Sequence, residues 1–104
     1  MARPHKLATA LGLALIAGSA QAGDRARELT SLVREDCGSC HGMTLKGGLG
    51  VALTPDELSE RDATSLASII LNGVPGTPMP PWRGLITEAD ARWIADHLKR
   101  GFPQ

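Results

Sequence analysis

The 104 residues balance eleven lysines and arginines against eleven aspartates and glutamates, with 42% hydrophobic residues and only three aromatics, Trp82, Trp93 and Phe102. That length supports one folded domain. The balanced charge excludes the basic footprint of a nucleic-acid binder.

The chain opens with Arg3, His5 and Lys6, continues as an apolar run from Leu7 to Ala17, and reaches Ala20-Gln21-Ala22. A basic start, an apolar stretch and an A-x-A site make a secretory signal. That almost unbroken run of eleven residues falls short of the roughly 20 that span a bilayer. Residues 1–22 are therefore expected to be cleaved, leaving residues 23–104 as one domain in an oxidising, periplasmic setting, without a membrane span. Loss of Arg3 and Lys6 leaves nine basic against eleven acidic residues, a net charge of −2. An 82-residue domain buries little core and usually needs a staple or cofactor.

Asp24 is the expected N-cap of a first helix, with Leu29, Leu32 and Val33 at helical spacing leading into Cys37. Gly47, Gly48 and Gly50 predict a loop from Gly42 to Leu53. Thr54-Pro55-Asp56-Glu57 reads as a helix start anchored by Leu58. Asp62 caps a further helix that buries Leu66, Ile69 and Ile70 and ends at Asn72-Gly73. Pro75, Pro78, Pro80 and Pro81 predict an extended loop from Val74 to Leu85. Thr87 with Asp90 opens the last helix, where Ala91, Ile94, Ala95 and Leu98 form the apolar face. Gly101 and Pro103 stop it. The fold class expected is all-α, with ordered loops.

Cys37-Gly38-Ser39-Cys40-His41 is a C-x-x-C-H motif. Its spacing suits two thioether bonds to the vinyl groups of one haem edge, with the next residue carried under the iron as a ligand. A zinc site needs a second ligand pair, and a thioredoxin-like site needs a βαβ context. Neither is present in the sequence, and a chance disulfide between Cys37 and Cys40 is the remaining alternative. The motif thus predicts one covalent haem c, held by Cys37, Cys40 and His41. For the sixth ligand, Met79 lies between prolines in a loop, where a weak thioether donor is stiffened. His97 is the competitor, set within the last helix. Met43 is too near His41 to reach the opposite haem face. A His41/Met79 pair leaves no open iron position, so electron transfer is expected rather than catalysis. Trp82, just after the methionine loop, is expected beside the haem with its indole nitrogen near a propionate.

The order of cysteine motif, proline-flanked methionine and closing helix resembles the class I c-type cytochromes over the whole mature chain. Cys37 to Gly50 and Pro75 to Trp82 resemble more closely the small periplasmic cytochrome of the denitrification nitrite-reductase cluster, the NirC type. The resemblance implies a cytochrome c fold wrapped around one haem and a redox protein partner, periplasmic nitrite reductase above all; a monomer is expected. It also admits an assembly factor for the reductase's specialised haem. The family's Gly-Pro-x-Leu is here Gly50-Val51-Ala52-Leu53. In the family the proline carbonyl accepts a hydrogen bond from the proximal imidazole; Val51 keeps the carbonyl without the fixed φ. Where the first helix of the family often has Phe, this chain has Val33, with Trp93 as the candidate replacement.

Overall fold

The computed structural model describes residues 20–102, so the basic start and apolar run of the expected signal lie outside the described residues. The chain divides after Thr30 into two compact units. In the first, residues 20–30 are helical. Asp24 pairs with Arg27, and Arg25 with Glu28 at 2.7 Å. Asp24 is therefore not an N-cap: the backbone is already helical at residue 20. Alanine and glutamine favour that state and supply no stop.

Helix α1 is this segment, residues 20–30, and in the second unit residues 31–32 are helical. The winding then widens to a π-turn over Val33–Cys37, with Gly38 N–H donating to the Val33 carbonyl, and tightens again into α2, Gly38–His41. Such π-turns gather at functional sites, and this one shifts the register of the cysteines. Val33 inside it is fully buried.

The stretch from Gly42 to Leu53 is loop. Leu45 takes a left-handed φ of 61°. That conformation costs a non-glycine residue about 1–2 kcal/mol. Its burial offsets this, at roughly 1.5–3 kcal/mol for a leucine. Residues 55–60 form turns and not the expected helix. Leu58 is their only buried apolar side chain, too few for an amphipathic face, and the Asp62 side chain is committed to the next helix.

Helix α3, Ala63–Asn72, starts where Asp62 accepts from Ser65 N–H at 2.7 Å and ends at Gly73, whose N–H donates to Ile69. Helix α4, Glu88–Arg100, opens with a reciprocal box between Thr87 and Asp90. The two helices pack together. α3 buries Leu66, Ala67 and Leu71, while Ile69 and Ile70 stay half-buried. α4 buries Ala91, Ile94, Ala95 and Leu98, as its spacing predicts. Polar ties reinforce the contact: Arg92 donates to Thr64 at 2.9 Å, and Arg83 bridges Asn72 and Glu88. Lys99 donates to the carbonyls of Leu58 and Arg61, so this cation clamps the 55–61 turn to α4. Among the described residues there is no strand, and no helix is long and apolar enough to cross a membrane. The all-α expectation holds.

Candidate haem-binding site

Cys37, Cys40 and His41 lie on one turn and a half of backbone, because the π-turn runs directly into α2. Both cysteines are free thiols, Cys37 half-buried and Cys40 exposed. Burial, with the Asp36 carboxylate adding to it, pushes the Cys37 thiol up to about 11. Cys37 is thus a neutral thiol at neutral pH, unlike the low-pKa thiolates of redox-active C-x-x-C sites.

The loop after α2 folds back on the turn that precedes it. Gly47 N–H donates to the His41 carbonyl and Gly50 N–H to the Cys40 carbonyl, both at 2.8 Å. Leu53 N–H closes the loop on the Leu45 carbonyl at 2.8 Å. The result places the Val51 carbonyl 2.7 Å from His41 Nδ1. With Nδ1 donating, Nε2 carries the lone pair that a metal ligand requires. Valine in place of the family's proline therefore preserves this bond: the glycine amides fix the loop where proline's φ otherwise helps.

Met79 is half-buried in the proline loop. Val74 N–H donates to the Met79 carbonyl at 3.2 Å, and Met79 N–H to Thr77 Oγ1 at 3.3 Å. The loop rejoins α3 through Trp82 N–H to Ile70 and Arg83 N–H to Leu71, both at 3.1 Å. Gly73, at φ 67°, lets the loop pass: a Cβ there would meet the Met79 carbonyl oxygen at 2.7 Å. Trp82 is half-buried. His97 is engaged elsewhere, its ring stacked on Trp93 with centroids 3.7 Å apart and Nδ1 2.7 Å from the Trp93 carbonyl. Trp93 thus pairs with His97 and, edge-on, with Phe102. Met43 is 73% exposed.

Comparison with known proteins decides the family. Residues 24–98 match the family model described as cytochrome c oxidase, cbb3-type, subunit III. The chain is 58% identical over 93 residues to cytochrome c55X of Paracoccus denitrificans (strain Pd 1222), covering 86% of this chain and 90% of that protein. The chain belongs to the cytochrome c55X family of monohaem c-type cytochromes. The structure superposes on that of the c-type cytochrome NirC with a TM-score of 0.74 at 49% identity, covering 76% of this chain and 93% of that one. The chain is also 36% identical over 95 residues to dihydro-haem d1 dehydrogenase of Pseudomonas aeruginosa, covering 91% of this chain but 19% of that protein. As a c-type cytochrome the protein is an electron carrier rather than an enzyme, with one covalent haem c. The residues fit that group: two unpaired thiols stand at the attachment spacing, and the adjacent imidazole has one nitrogen already committed to a carbonyl.

Proposed function

We propose that this cytochrome is a periplasmic carrier of single electrons that exchanges them with the nitrite reductase of denitrification. Cys37 and Cys40 form the thioether links, and His41 and Met79 are the axial ligands. The haem supplies a reversible one-electron couple. The observation that carries this reading is the 2.7 Å contact of His41 Nδ1 with the Val51 carbonyl, which orients the imidazole beside the cysteine pair and raises its basicity as a ligand. The stacking of His97 on Trp93 favours Met79 as the sixth ligand. A thioether ligand favours ferrous iron and raises the potential, which suits a carrier. Leu53 and Ile70, half-buried, offer apolar surface to a porphyrin, and the Trp82 indole is proposed to lie beside it. The domain is the product of cleavage after Ala22 and acts as a monomer.

Mixing the reduced cytochrome with oxidised nitrite reductase in a stopped-flow instrument tests the partner. Rapid, reversible and salt-sensitive electron exchange is expected; exchange no faster than with an unrelated periplasmic oxidoreductase would remove the reductase from the proposal. The likeness to a dihydro-haem d1 dehydrogenase favours one second reading, a role in maturing the reductase's specialised haem. A deletion strain separates the two. A reductase that retains its full cofactor complement supports the carrier, and a reductase lacking its specialised haem supports maturation.

A further inference from the structure

Gly50 is not glycine for the sake of its own backbone. Its φ lies outside the left-handed region that favours glycine, so an L-residue can adopt its conformation. What a side chain cannot do there is find room. A Cβ on Gly50 would stand 2.8 Å from Nδ1, 2.9 Å from Cε1 and 3.4 Å from Cγ of His41. All three atoms belong to the imidazole ring. The backbone cannot easily retreat, because Gly50 N–H donates to the Cys40 carbonyl at 2.8 Å and its own carbonyl accepts from Gly48 N–H at 3.0 Å. The next residue, Val51, provides the carbonyl that holds Nδ1.

We propose that Gly50 is a positioning residue: its bare Cα is the surface against which the His41 imidazole is set, fixing the ring plane and the length of the Nδ1–H to Val51 bond. Any side chain at position 50 pushes the ring, since the ring is the softer of the two partners. A displaced ring loses part of its hydrogen bond and becomes a weaker donor toward iron. Ferric iron loses more from this than ferrous iron, so the reduction potential rises. The inference rests on the reading that His41 binds the iron.

The test uses the holo-cytochrome. In the reduced wild type, a Gly50 Hα should show a nuclear Overhauser effect to a His41 ring proton. Gly50→Ala should shift the reduction potential upward and move the paramagnetically shifted His41 ring resonances of the ferric protein. Gly84→Ala is the control, since nothing lies within 4 Å of a Cβ there, and it should change neither. If Gly50→Ala fails to retain haem, the wild-type Overhauser effect decides alone: present, it supports the contact; absent, it overturns it. Ring resonances and a potential unmoved by Gly50→Ala would overturn the role of Gly50 while leaving His41 on the iron. His41 ring protons with no paramagnetic shift in the wild type would instead remove His41 from the iron, and this proposal with it.

Discussion

The two loops that position the proposed iron ligands are held in opposite ways. The loop behind His41 is glycine-rich and pinned by its own amides: Gly47 and Gly50 donate to the last two carbonyls of the haem motif, and Val51 receives the imidazole, all within 2.7–2.8 Å. The loop around Met79 has four prolines, which give up their amides. The bonds that hold Met79 itself and return the chain to α3 are longer, 3.1–3.3 Å, and the tighter contact, Leu85 N–H to the Trp82 carbonyl at 2.8 Å, lies beyond them in the closing turn. One loop is rigid because it is bonded to the site itself. The other is rigid because its φ angles are preset and because its ends are tied to α3. The harder ligand sits where the chain also carries its covalent attachment. The softer ligand depends on a span held from outside.

That contrast predicts an order of failure. Met79→Ala should have the largest effect. The potential should fall by a sizeable part of the ~0.8 V that axial ligation spans, and the ferrous iron should bind carbon monoxide, while the haem stays attached. If His97→Ala and not Met79→Ala abolishes the ferric thioether absorption, the methionine side of the comparison is wrong. Gly73→Ala comes next. It forces a left-handed φ of 67° on alanine and drives Cβ to 2.7–2.8 Å from Met79, Pro80 and Pro81 backbone atoms. A loss of about 1–3 kcal/mol is expected in denaturant unfolding, with weakening of the thioether absorption and no change in the His41 resonances.

Two smaller changes should leave both loops in place. Thr87→Ala removes one half of the box at the start of α4 and should cost about 1 kcal/mol in thermal unfolding at an unchanged potential. Acid should act more weakly still, through Asp62. The N–H and side chain of Ser65 hold its carboxylate below the usual range. A folded-state pKa below the unfolded one contributes stability that is present above the unfolded value and is lost as pH falls through the folded one. Below about pH 4, the Ser65 amide resonance should therefore shift as the α3 cap protonates. A titration at or above the ordinary carboxylate pKa would contradict the cap.

Much of this was legible in the sequence because it depends on local chemistry. Asp62 opens α3, Thr87 and Asp90 open α4, and the C-x-x-C-H run marks the attachment turn, each through side chains acting within four residues; Gly73 ends α3 through the φ of 67° that glycine adopts freely. What was not legible depends on distance or on backbone alone. The π-turn at Val33–Cys37 has no residue signature. Residues 54–57 carry cap chemistry without the apolar stripe that sustains a helix, so they yield turns. Asp24 resembles an N-cap, but the described residues before it, 20–23, are already helical. Gly50 reads in sequence as one loop-former among three, and its contact with a ring nine residues earlier emerges only when the loop folds back. Its adjacency to Val51, in the position of the family's Gly-Pro pair, was the available clue.

We propose that the two loops set His41 and Met79 against one iron. Proton–carbon NMR of the reduced cytochrome, labelled at the methionine methyl groups and assigned by Met43→Leu and Met79→Leu, reads this arrangement at the ligand itself. The Met79 methyl is expected far upfield, shifted by the porphyrin ring current, with Met43 near its free position. A Met79 methyl at the free position, or a ring-current shift on Met43 instead, would contradict it.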